Sequence, residues 1–187
     1  MNINDIQTPF FVLDRKVMVD EVQKLNYAIA NICARLAHHM ENIMREYDQQ
    51  NNSHYFQNYY VDVEYNRMGF GDLKHFEDYK HVSHYMVSDL LIHSRGYERN
   101  LLAVEMKKPR NRKTVEEDKK RLRSLVTPPS DESPLDCVHG TMLGAFIVYS
   151  IKGVDMELFY YSDEDGEVKT EQLRAVWDVH QYKLRFE

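Results

Sequence analysis

Asp89, Glu105 and Lys107 are the residues whose types and spacing suggest joint chemistry. Ser-Asp-Leu-Leu-Ile-His (88–93) and Leu-Leu-Ala-Val-Glu-Met-Lys (101–107) are short, branched-apolar runs on either side of a polar turn, Ser94 to Asn100, that contains Gly96. That pattern predicts a β-hairpin. In an antiparallel pair the start of one strand lies beside the end of the next. Asp89 is therefore expected beside Glu105, with Lys107 two residues on and on the same face as Glu105. Two carboxylates and an ammonium at one hairpin end meet the needs of metal-assisted phosphodiester hydrolysis, in which a cation offsets phosphate charge and acidifies the attacking water. Mg²⁺ prefers hard oxygen ligands and commonly takes one or two carboxylates. Asp89 and Glu105 are the expected ligands, with the Met106 backbone carbonyl as a third. Lys107 is expected to orient or deprotonate the water, or to neutralise charge developing on the phosphate. The tripeptide alone is weak, because Glu-x-Lys is frequent by chance and such pairs often serve only solubility. Its weight comes from the buried run Leu101 to Val104 before it and from the Asp on the preceding strand.

The elements that must hold these residues are readable around them. From Val17 to Tyr47, apolar residues at three- and four-residue spacings (Val22, Leu25, Ile29, Ile32, Cys33, Leu36, Met40, Ile43, Met44) predict a long amphipathic helix. Asp48 to Gln57 reads as a loop. Tyr59 to Arg67 alternates as a half-buried strand, with Val61, Val63 and Tyr65 on one face and Asp62 and Glu64 on the other. Asp62, Glu64 and His93 are accessory candidates near the site. Met68 to His81 reads as a turn with a short helical piece. After the hairpin, Pro109 stops the strand, and Thr114 with Glu117 predicts a capping box opening a helix to about Leu125. Met142 to Ile151 predicts a strand buried on both faces, and Met156 to Tyr161 its hairpin partner. Asp163 to Gly166 is a turn. Thr170 is expected to cap a last helix bearing Leu173, Val176, Trp177 and His180, before an edge strand at Tyr182 to Phe186. The order predicts an α/β domain, a mixed sheet covered by helices. It spans residues 1–187 as one domain, with a core at about 17–151 and a C-terminal extension at 152–187.

The chain carries a net charge of -6 over 187 residues, which argues against a uniformly basic nucleic-acid binder. The distribution is uneven, since Lys107 to Arg123 holds nine Lys or Arg against three Asp or Glu. Lys108, Arg110, Arg112, Lys113 and Lys120 are the expected phosphate contacts; a solvated helix face is the plainer alternative. No run of 18 apolar residues and no signal-peptide pattern stands in the sequence, so a cytoplasmic protein without a membrane span is expected. Cys33 and Cys137 form no CxxC pair and read as free thiols. His81, His84 and His93 match no zinc spacing.

At this point the residues resemble a known family. Ser88-Asp89 followed by Asn100-Leu-Leu-Ala-Val-Glu105-Met-Lys107-Lys108 is similar to the motif of PD-(D/E)XK nucleases, the restriction-endonuclease-like superfamily. Val61 to Arg67 before it and Glu116 to Arg123 after it resemble the neighbouring strand and helix of a small bacterial and phage group. The likeness runs from about Leu25 to Tyr149. It implies a restriction-endonuclease-like αβββαβ core, with Mg²⁺ or Mn²⁺ as cofactor. The implied activity is hydrolysis of DNA, ahead of RNA. Asp89 and Glu105 take the metal-binding positions and Lys107 the catalytic one. A homodimer and a setting in phage defence or mobile-element biology are in keeping with the family. The sequence departs from the pattern twice. Ser88 stands where the family usually has Pro, and Ile29 stands where relatives often carry a helix Glu, for which Glu21 and Asn26 are substitutes that no motif supports. A second reading is a catalytically inactive nuclease fold used for binding or assembly. A third is an α/β domain whose cluster is coincidental and which binds no divalent metal.

Overall fold

The computed structural model describes residues 29–63, 75–77, 83–85, 88–94, 100–109, 114–128, 140–150, 152–178 and 183–186. In chain order these form α1 (Ile29–Asn51), β1 (Tyr59–Val63), β2 (His75–Glu77), β3 (Ser83–Tyr85), β4 (Leu90–Ser94) and β5 (Leu102–Lys107). There follow α2 (Val115–Val126), β6 (Leu143–Ser150), β7 (Gly153–Ser162), β8 (Glu167–Asp178) and β9 (Lys183–Phe186). One mixed sheet runs β1-β4-β5-β6-β7-β8-β9, and β2 and β3 form a separate two-stranded ribbon. Its one parallel pair among the described residues is β5 with β6. Parallel neighbours need a crossover, and α2 supplies it. The expected α/β class and mixed sheet are present, with the helices on opposite faces.

Alternation along the strands sets what each face carries. Leu90, Ile92, Leu102, Val104, Met106, Ala145 and Ile147 pack toward Ile32, Cys33, Leu36, Met40 and Met44 of α1. Leu91, Ala103, Phe146 and Phe159 pack toward Leu122, Leu125 and Val126 of α2. Both faces of β4, β5 and β6 are thus covered, which is why these strands read as continuous apolar runs. Gly144 on β6 lets α2 come close: a Cβ there would lie 3.3 Å from Leu122 Cβ and 3.5 Å from the Leu122 carbonyl oxygen. At the β1 edge, which no other described strand covers, side chains of α1 take backbone groups of β1 and of Phe56 just before it. Arg45 donates to the carbonyls of Phe56 (2.8 Å) and Tyr59 (3.2 Å), and Glu41 Oε1 accepts from Val61 N–H at 3.3 Å. An edge dressed in this way resists pairing with another chain.

Several expectations are corrected. The residues before Ile29, including Glu21 and Asn26, lie outside the described residues, and α1 runs on past Tyr47 to Asn51. It continues because its end is a left-handed cap rather than a loop. Asn52 has φ 49°, Asn52 N–H donates to Gln49 O (3.4 Å) and Ser53 N–H to Asp48 O (2.9 Å), the pairing of a Schellman motif. Asp48 then accepts from Ser53 Oγ and from the N–H groups of Tyr55 and Phe56. Within the stretch read as turn and helix, His75–Glu77 is instead β2, paired with β3 just beyond it. Thr114 opens α2 without a side-chain cap, because its left-handed φ of 68° turns the hydroxyl away from the first N–H groups; it donates instead to Asp118 Oδ2 at 3.3 Å. The last predicted helix is strand β8. Its spacing of Leu173, Val176 and Trp177 suits a helix, but ten residues of β8 pair in register with β7, from Gly153↔Val176 to Ser162↔Glu167. That ladder decides the matter over local propensity. β7, β8 and β9 extend the same sheet, β9 being the expected edge strand. Cys33 is a buried thiol that donates to Met106 Sδ at 3.5 Å; Cys137 is outside the described residues.

Candidate active site

The hairpin predicted around Gly96 is β4 paired antiparallel with β5, in the register Leu90↔Val104. One step further in that register sets Asp89 opposite Glu105. The two are linked through the backbone, since Met106 N–H donates to Asp89 Oδ2 at 2.7 Å. Glu105 and Lys107 both face α2. Arg121 Nη1 donates to Glu105 Oε1 at 2.6 Å, and Lys107 Nζ lies 2.9 Å from Asp118 Oδ2. Arg121 also bridges to Asp118 Oδ1 at 3.1 Å. The carboxyl end of β5 therefore carries Asp89, Glu105, Asp118, Lys107 and Arg121 in one network, with three acids against two cations. It sits beside the first turns of the crossover helix, the end of a parallel strand where α/β sheets place ligands.

Asp118 and Arg121 are the members that sequence spacing did not single out. The signal for Asp118 was present: it shares the α2 stripe with Val115, Leu122 and Leu125 at helical spacing, and an acid on an apolar stripe needs a buried partner. Its side chain is 3% exposed. Nothing in local spacing points to Arg121, whose partner Glu105 is 16 residues away on another element.

Burial governs the electrostatics. Glu105 is 3% exposed. Removal from water, with Asp89 and Asp118 close by, pushes its carboxyl up from 4.5 to about 8, although Arg121 and Lys107 pull the other way. Asp89 is raised as well, by burial first, against the Met106 N–H and the Lys107 charge. A carboxyl raised on folding holds its proton in the native state at pH values where the unfolded chain has released it. Its contribution to stability is complete below 4.5 and is lost as pH rises toward about 8. Metal-free protein in chelator is thus expected to lose thermal stability between pH 5 and 8, and Glu105→Gln to flatten that slope. A slope unchanged in the variant would contradict the assignment.

The accessory candidates fall elsewhere. His93 Nε2 lies 2.8 Å from Asp62 Oδ2, with the His93 side chain 3% exposed. His93 sits four residues along β4 from Asp89, about 13 Å away, while Asp62 stands opposite Leu91 and has its carboxylate on His93. Glu64, His81, Arg110, Arg112 and Lys113 lie outside the described residues, and His84 is on β3, where the backbone alone is described. Lys108 and Lys120 are exposed. Other described members of the basic run pair with acids of the chain. Besides Lys107 and Arg121, Lys119 and Arg123 both pair with Glu157 of β7, at 2.6 and 3.5 Å.

Among the described residues no three His, Cys, Asp or Glu side chains form a group that could hold a metal ion. The donors at the end of β5 still suit a hard divalent cation, which needs only one or two carboxylates beside water and carbonyl oxygens. Asp89 and Glu105 supply two. The neighbouring Ser88 hydroxyl is fully buried and has no hydrogen-bond partner among the described residues, and the same holds for the hydroxyl of Tyr149 near the end of β6, so these two groups leave buried polar capacity at this end of the sheet. No described helix is long and apolar enough to cross a membrane. No family model, curated protein or solved structure matches this chain.

Proposed function

We propose that the chain is a divalent-metal-dependent nuclease of restriction-endonuclease-like fold that hydrolyses phosphodiester bonds in nucleic acid, DNA ahead of RNA. The observation that carries this reading is the meeting of Asp89, Glu105 and Lys107 at the carboxyl end of β5. The helix, three-strand meander, crossover helix and parallel strand formed by α1, β1, β4, β5, α2 and β6 support it. Asp89 and Glu105 would hold Mg²⁺ or Mn²⁺, with the Met106 carbonyl as third ligand. When bound, the ion would polarise the phosphate and lower the pKa of water. Lys107, fixed by Asp118, places a compact positive charge where the pentavalent phosphate gains negative charge. Lys108 and Lys120 would take flanking phosphates. Cutting both strands of a duplex calls for two such sites, and a homodimer would provide them.

The second reading, an inactive binding or assembly module, is favoured by one observation: Arg121 already neutralises Glu105 and Asp118. A cleavage assay separates the two. Single- and double-stranded DNA and RNA are incubated with Mg²⁺ or Mn²⁺ and either wild type or Glu105→Ala purified identically. Cleavage by wild type alone supports the nuclease; silence from both on every substrate overturns it in favour of the binding module.

A further inference from the structure

We infer that Arg121 is an internal counter-ion of the carboxylate site, occupying the oxygen that a divalent cation needs, and that it sets metal affinity by having to leave. This rests on the nuclease reading and deepens it. The guanidinium takes Glu105 Oε1 at 2.6 Å and Asp118 Oδ1 at 3.1 Å in one bridging contact. Glu105 has almost no exposure of its own, whereas the Arg121 side chain is 22% exposed against 3% for Glu105. Arg121 therefore has a route to water and Glu105 has none.

The arrangement tolerates its departure. Asp118 keeps Lys107 at 2.9 Å on its other oxygen, so it is not left as an uncompensated buried charge. With Asp89, Glu105 and Asp118 all ionised, as carboxylates that take a cation must be, they face Lys107 and Arg121 with a formal local charge of -1. Adding a divalent cation beside both basic groups would leave an excess of one positive charge. Exchanging it for Arg121 leaves neutrality, so exchange is the favoured event in a buried site. The released guanidinium is a bidentate phosphate donor. Metal and polyanion are consequently expected to bind with positive linkage, each making the other's binding more favourable.

The test is calorimetric titration of MnCl₂ into full-length wild type, Arg121→Gln and Arg121→Lys at constant pH, with folding checked by circular dichroism. Arg121→Gln is expected to bind Mn²⁺ at least about tenfold more tightly than wild type, and Arg121→Lys to fall between them. Equal or weaker binding by a folded Arg121→Gln overturns the counter-ion role while leaving the metal site standing. Absence of binding by all three removes both. A readout on the wild type alone guards against a variant that misfolds. The Arg121 side-chain N–H resonance, assigned by its loss in Arg121→Lys, should move to solvent-exposed values on saturation with Mg²⁺. A resonance that stays in place while Mg²⁺ binds overturns the inference.

Discussion

Replacing Lys107 with alanine is expected to slow phosphodiester cleavage by about 100-fold while leaving Mn²⁺ affinity nearly unchanged, since one preorganised electrostatic donor typically carries that much of a rate. Lys107 is a cation and cannot be a metal ligand. It is two residues past Glu105 on β5, projects to the same face, and is held at 2.9 Å by Asp118 with its own side chain 16% exposed. An ammonium fixed before the reaction starts has little reorganisation to undergo in the transition state. Lys107→Arg is expected to recover little, because a planar guanidinium neither fits nor focuses charge like an ammonium. Both variants keep Asp89 and Glu105, so the split between rate and metal binding is the diagnostic. Full activity in Lys107→Ala would remove this residue from the mechanism.

Asp118→Ala is expected to cost about 3 kcal/mol of folding stability, in the range for removing one partner of a buried ionic network. Its carboxylate accepts from Lys107, Arg121 and Thr114, and it is buried against the sheet. Removing it takes from Lys107 its carboxylate at 2.9 Å and from Arg121 the one at 3.1 Å. Partial exposure of Lys107 and Arg121 keeps the loss from being larger. Urea denaturation reads this as a lower midpoint with an unchanged slope. A loss under about 1 kcal/mol would mean that the network contributes little, as surface pairs do. In the proposed nuclease Asp118 would act on chemistry through Lys107, as a positioning residue, so a folded Asp118→Asn is expected to reduce the cleavage rate more than substrate binding.

The hairpin was legible because its signals are local: two branched-apolar runs, a glycine turn, and charges at matching ends. β6 and β7 were legible for the same reason, around Lys152-Gly153. β8 was misread because Leu173, Val176 and Trp177 satisfy a helical spacing while Leu173, Ala175 and Trp177 satisfy an alternating one, and only the ladder to β7 chooses between them. The β2–β3 ribbon escaped notice because three-residue strands carry no period. That Asp89, Glu105 and Lys107 come together at one end of β5 was legible from hairpin geometry. Asp118 and Arg121 were missed because their roles come from Coulomb pairing across the sheet–helix interface, which spacing along one element does not encode. The basic run misled in the opposite direction. Lys119, Arg121 and Arg123 read as surface charge, yet all three pair with acids of β5 or β7.

The most direct test of the central claim is calorimetric titration of Mn²⁺ into metal-free wild type, Glu105→Ala and Asp89→Ala. Saturable divalent binding is expected in wild type and is lost in both variants while their folds, followed by circular dichroism, persist. Wild type that takes up no Mn²⁺, or a Glu105→Ala protein that binds it as wild type does, would contradict a metal site at the end of β5.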